Sequence, residues 1–256
     1  MNAKQIWTYT YKGLAIALIL YVLIAGMLVQ MPKNDIWGQT SRNLFYHVPM
    51  WFAMLAMMFI SVFHSIRLLR ELDPDRERTM NPLLLDIRAV EAAKVGVMFN
   101  ILGLATGILW SRVTWNENIA TNQFAAWWNW DPIQVSALVA LLIYGAYFLL
   151  RSSFSEPEQR GKVAAVYNIF AAATLIPLFF IVPKLLEGLH PTSGGKGSFV
   201  VRGEGMTNDA RLIFYPAILG FTFLGLWLFN LRYRAEQLKL KLEDWLAEKQ
   251  YQKETQ

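Results

Sequence analysis

Cysteine is absent from all 256 residues, which removes disulfides, CxxC redox chemistry and thiolate metal sites from consideration. Charge is sparse. Charged residues make up 17% of the chain against 55% hydrophobic, and the longest apolar runs hold no Asp, Glu, Lys or Arg, so a proton relay or ion pathway of the usual intramembrane kind has nothing to run on. Histidine is also scarce, with only His47, His64 and His190. There is no Walker sequence, no nucleophile beside a base and no metal-ligand cluster by spacing. The chain is therefore not read as an enzyme, and its net charge of +5 needs no nucleic acid to explain it.

What is present is apolar length. Leu14 to Met31, Phe45 to Ile66, Val95 to Trp110, Ile133 to Leu150, Val163 to Val182 and Leu212 to Leu231 are each about long enough to cross ~30 Å of hydrocarbon as a helix. Backbone groups inside a bilayer must be satisfied within their own segment, so these spans are helices rather than strands. The expectation is an all-α integral membrane protein of six transmembrane helices. The connectors Arg67 to Lys94 and Pro183 to Arg211 are shorter than thirty residues, leaving one six-helix membrane domain over 1–256. Leu14 to Met31 exceeds a signal-peptide core and is followed by Pro32, Lys33, Asn34 and Asp35, so it is expected to stay as the first span.

Basic residues set the orientation. Leaving aside Lys94 at the start of the third span, sixteen lie in the N-terminal segment, the second and fourth connectors and the C-terminal tail, against seven on the other side. The positive-inside rule then predicts both termini in the cytoplasm. His47 and His190 fall on the external side, and His64 at the cytoplasmic end of the second span.

The same external side carries the run Phe124 to Gln134, F-A-A-W-W-N-W-D-P-I-Q. Trp and Tyr gather at bilayer interfaces whatever a protein does, which accounts for a lone pair of tryptophans. Trp127, Trp128 and Trp130 within four positions suggest an aromatic shelf able to stack a flat ligand. Asp131 also has a plain role: an N-cap before Pro132 at the first helical position, with Gln134 in the capping-box place.

Other features read as architecture. Pro49 falls in the first turns of the second span, where a missing donor costs least, and His47 and Trp51, four apart, share a helical face. Trp37 and Arg42 precede them. Glu91 and Lys94 are spaced to pair. Gly103 and Gly107 stand at G-x-x-x-G spacing, read as close helix packing. Pro177 is expected to kink the fifth span, Pro183 to mark its outer end, and Gly/Ser-rich residues after His190-Pro191 to form a flexible connector. Residues 232–256 place Leu238, Leu242, Trp245 and Leu246 at helical spacing, predicting a cytoplasmic amphipathic tail lying on the leaflet, with a partner-docking helix as the sharper alternative.

Two external histidines beside flat aromatics suit haem: imidazole ligates iron axially, indole covers the macrocycle and basic residues such as Arg42 and Arg112 meet propionates. The residues leave two other readings open. A one-haem b-type cytochrome subunit in electron transfer satisfies the histidine count, and a cofactor-free six-span transporter needs none of them.

The W-W-N-W-D run, the R-N-L-F-Y-H-V-P entry to the second span, a histidine after the fifth span and six spans in this length together resemble CcmC, the haem-handling membrane protein family of cytochrome c maturation. The motif belongs to a wider haem-handling group with CcsA and CcmF, whose members are usually longer. The resemblance covers nearly the whole chain to about Leu231. It implies His47 and His190 as axial haem-iron ligands, Trp127, Trp128, Trp130 and Asp131 as the haem-presenting signature, and Arg42 as the family's arginine shortly before the first histidine. Phe124 and Ala125 replace the family's leading Trp-Gly, Ile133 stands where relatives often carry arginine, and Asp131-Pro132 is closer to the CcsA and CcmF form. The implied function is transient binding of haem b at the outer face of a bacterial inner membrane and its delivery to a CcmE-like periplasmic chaperone. The implied partners are CcmA/CcmB-like ATP-binding transporter subunits and a small CcmD-like membrane subunit.

Overall fold

The computed structural model describes residues 2–31, 38–115, 125–191 and 206–254. Trp37, Phe124, Lys33 to Asp35 and the Gly/Ser-rich connector lie outside the described residues. The elements are α1 (Ala3–Leu28), a 3-10 turn (Gly38–Asn43), α2 (Leu44–Glu71), α3 (Pro82–Thr114), α4 (Pro132–Ser152), α5 (Pro157–Ile176), a π-helical turn (Pro177–Ile181), α6 (Val182–Leu185) and α7 (Asn208–Glu254). Six of the helical segments are long and apolar enough to cross a membrane, so the six-helix, all-α membrane architecture stands.

Local chemistry starts these helices. Asn2 and Gln5 form a reciprocal capping box at α1. Asn81, Asp131 and Glu156 each cap a helix whose next residue is proline, Pro82, Pro132 and Pro157. An acceptor side chain followed by a residue with no N–H satisfies the exposed donors of the first turn. Gln134 does not complete a box at α4. Its amide instead donates to Ser111 Oγ at 2.9 Å and its carbonyl accepts from the Asn129 amide at 3.3 Å, because the side chain faces α3 rather than its own N-terminus.

The helices run well past the apolar stretches that announce them, and the extensions bring in charge. Asp86 on α3 pairs through both oxygens with the Arg151 guanidinium on α4. Glu91 is buried and pairs with Lys94 as its spacing predicts, and also with Arg232 Nε on α7 at 2.6 Å. Buried carboxylates persist only when paired in this way. Nearby, Asn168 Nδ2 on α5 donates to Ser61 and Ser65 on α2 at 2.7 and 2.9 Å, and the Ser61 hydroxyl donates to the Ala89 carbonyl at 2.7 Å. His64 is buried here, its ring stacked against Phe229 at 6.4 Å, at the opposite end of α2 from His47.

α2 and α3 are an antiparallel pair whose seam is a row of glycines. A methyl group on Gly96, Gly103 or Gly107 would sit 2.7, 2.9 and 2.9 Å from atoms of Met58, Trp51 and His47 respectively. Small residues let the backbones close up, as the spacing predicts, and what enters the space at two of the three positions is an aromatic or imidazole ring. α5 ends at Pro177, where the chain takes a π-helical turn rather than a simple kink. Proline supplies no N–H there, and the wider turn is a common solution near functional positions. The tail is helical and is the uninterrupted continuation of α7 to Glu254, roughly 33 Å beyond Arg232 at 1.5 Å per residue, because no Gly or Pro interrupts the helix where the apolar run stops.

Candidate functional site

Alternation of six spans brings the start of α2, the end of α3, the start of α4 and the segment after α5 to one end of the bundle. His47 lies in the first turns of α2 and rests on Gly107, whose missing side chain leaves room for the ring. His47 Nδ1 is 3.0 Å from Thr106 Oγ1, and Trp51 Nε1 donates to His47 Nε2 at 3.2 Å. Trp51 lies one turn along α2, with its ring 5.3 Å from Phe179 in the π-helical turn.

His190 follows α6. Its ring stands edge-on to Trp110 of α3 at 6.5 Å, and Trp110 in turn meets Trp115 at 6.0 Å. The His190 imidazole lies within electrostatic reach of His47. Burial pushes its own pKa below the ordinary value to about 4, with the Asp131 carboxylate pulling the other way. Gly107 and Trp110 are one turn apart, so a single turn of α3 seats both histidines.

Asp131 joins this site to the tryptophan run. One carboxylate oxygen caps α4 through the Ile133 amide at 2.9 Å. The other accepts from the amides of Leu189 and His190 at 2.9 and 3.3 Å, and the residue is only 5% exposed. The cap expected from the sequence is thus present, and the same group also anchors the backbone of the second histidine.

The tryptophans do not form one flat shelf. Trp128 and Trp130 meet edge-to-face, 6.0 Å apart at 86°, and Trp127 and Trp130 are 58% and 80% exposed. The Arg112 guanidinium lies 4.0 Å over the Trp127 ring and donates to the Ala125 carbonyl at 3.1 Å, pinning the loop to the end of α3. Arg42 donates to the Gly26 carbonyl of α1 at 2.6 Å and to Gln39 at 2.7 Å. Both arginines are at the site's end of the bundle, engaged with protein groups.

Of the residues singled out from sequence, His47, His190, Asp131 and Arg112 come together around α3, the tryptophans line its exposed rim, and Arg42 secures the neighbouring α1. Sequence reading missed Thr106, Gly107 and Trp110 as parts of the site. The available signal was a threonine inside an apolar run directly before a glycine, with a tryptophan one turn on.

The donor set can be tested against haem. Among the described residues no group of three or more His, Cys, Asp or Glu converges to hold a metal ion. Two imidazoles suffice only for a metal that arrives with its other ligands, as iron in a porphyrin does. His47 Nε2 accepts from the Trp51 indole, and a ring nitrogen that accepts carries the lone pair such an iron takes.

Fold and site together define a multi-pass membrane protein that carries two histidines and a run of tryptophans at one end of its helices. Residues 1–247 match the family described as Heme exporter protein C, and the chain belongs to that family. It is 26% identical over 225 residues to Heme exporter protein C of Paracoccus denitrificans (strain Pd 1222), covering 88% of this chain and 84% of that protein. It is 30% identical over 152 residues to Heme exporter protein C of Bradyrhizobium diazoefficiens, covering 59% and 51%. A shorter match, 31% over 106 residues, covers 41% of this chain and 30% of the Cytochrome c biogenesis protein CcsA of Prochlorococcus marinus (strain MIT 9303). Membership assigns the chain to haem handling for cytochrome c maturation, in preference to the b-type cytochrome and cofactor-free transporter readings.

Proposed function

We propose that this protein holds haem b reversibly between His47 and His190 at the outer face of a bacterial cytoplasmic membrane and delivers it to a periplasmic haem chaperone. The observation that carries the reading is the seating of both histidines on one turn of α3, His47 on Gly107 and His190 beside Trp110. Neutral imidazole is the ligating form, and burial keeps His190 neutral. Asp131 holds the segment bearing His190, and the exposed indoles of Trp127 and Trp130 offer apolar surface to the macrocycle edge. Haem supplies iron with open axial positions; the protein supplies two imidazoles and a rim open to an acceptor.

The excess of basic residues at the end carrying both termini supports a cytoplasmic location for that end and an external one for the site. The resemblance to CcmC supports a CcmE-like chaperone as acceptor, with CcmA/CcmB-like ATP-binding subunits and a small CcmD-like subunit in the same assembly, and no enzymatic step by this chain. The test is the absorption spectrum of detergent-purified protein. Wild type is expected to show a Soret band, and His47→Ala and His190→Ala to lose it; full haem content in both variants rejects the ligand assignment.

A further inference from the structure

We infer that Trp51 is a latch on His47: its indole N–H occupies the one imidazole lone pair able to ligate iron, while Thr106 holds the ring in the tautomer that leaves that lone pair bare. The inference rests on the proposed role of His47 as haem ligand.

The tautomer follows from the inventory of hydrogens. The Thr106 hydroxyl has one proton, and it points at its own helix, with the Leu102 and Gly103 carbonyls 2.9 and 3.0 Å from Oγ1. Toward His47 Nδ1, 3.0 Å away, the same oxygen therefore accepts. On the other side, indole nitrogen is a donor and nothing else. Trp51 Nε1–H lies 3.2 Å from His47 Nε2, so Nε2 carries no proton. His47 is thus a neutral Nδ1–H imidazole with its free lone pair at Nε2, the arrangement that a partner on the far nitrogen imposes on metal-binding histidines.

That lone pair is taken by Trp51. Iron cannot approach Nε2 until the indole withdraws or the ring turns, so every ligation event displaces a hydrogen bond and every release restores it. A resident cofactor gains nothing from such a competitor. Cargo that must leave does, because the departing iron is replaced at once. The Trp51 ring also lies against Phe179 in the π-helical turn, on the strand of chain that leads to His190. Movement of the latch is therefore felt by the segment carrying the second histidine.

The sign of one substitution separates a latch from mere packing. Trp51→Phe keeps the ring and removes the N–H. A latch predicts that this variant holds haem against apomyoglobin at equilibrium about fivefold more tightly than wild type does, the change equivalent to a net hydrogen bond of about 1 kcal/mol; retention equal to wild type or weaker overturns the proposal. Thr106→Val should weaken haem retention and Thr106→Ser restore it. A readout on the haem-free wild-type protein needs no variant: ¹⁵N-histidine NMR should show His47 protonated at Nδ1 alone, and a proton on Nε2 also overturns the proposal. His47→Ala is measured alongside. If it retains haem, the ligand reading itself has failed; if it loses haem while Trp51→Phe holds it no more tightly than wild type, only the latch has.

Discussion

His190 and Asp131, 59 residues apart in sequence, are joined by a backbone-to-carboxylate hydrogen bond of 3.3 Å. The second oxygen of the same carboxylate caps α4. The acidic residue of the tryptophan motif thus acts through position, holding the second histidine in place while starting a helix.

Asp131→Ala should cost roughly 2 kcal/mol or more, from a lost cap and amides left without an acceptor, and should lower haem retention with it. Asp131→Asn keeps one acceptor oxygen and should fall between the two. Thermal unfolding in detergent and Soret absorbance per protein measure the two effects together.

Gly107→Ala is expected to separate stability from binding. Alanine gains up to about 1 kcal/mol in helix propensity, but its methyl would lie 2.9 Å from His47 Cε1 and pushes the ring aside. Haem content should fall severalfold with the helical circular dichroism signal unchanged. Retention of wild-type haem content would show that the ring has room to spare.

Burial of His190 makes the stability of the haem-free protein depend on pH. Its pKa falls from 6.5 to about 4 on folding. Above pH 6.5 the group is neutral in both states and costs nothing. Between pH 6.5 and 4 the unfolded chain takes up a proton that the folded one refuses, so stability drops as pH falls through this window. Wild type should lose more thermal stability between pH 7 and pH 5 than His190→Gln does.

Arg151→Ala strands the Asp86 carboxylate, which is 5% exposed. Removing one partner of a buried pair costs about 3–5 kcal/mol, whereas replacing both with apolar groups is often neutral. The single variant should give little folded protein in detergent, and Asp86→Leu combined with Arg151→Met should recover most of it. Equal yields from the single variant and wild type would show that water reaches the pair.

The spans were legible because hydrocarbon imposes a length and a composition that few sequences meet by accident. The cap at Asp131 was equally legible, an acceptor placed next to the donors it satisfies, and the structure adds caps of the same local kind at Asn2, Asn81 and Glu156. Helix ends were less legible. α3 begins at Pro82, well before its apolar run at Val95, and the charges in that extension, Asp86 and Glu91, have partners in Arg151 on α4 and Arg232 on α7 that no local pattern announces. Gly103 and Gly107 could be read as a packing face, but nothing nearby in the chain says which side chains enter it.

The chain alone determined six helices, their alternation, and hence that His47, His190 and the tryptophan run share one end of the bundle, since each span reverses direction and the apolar lengths count the reversals. Only the tertiary structure decided that His47 is seated on Gly107, that Asp131 grips the backbone of His190, and that Trp51 and Thr106 divide the two nitrogens of His47 between them. Those relationships depend on helix rotation and depth, set by how glycines and rings interlock across a seam, and a hydrophobic run is silent about both.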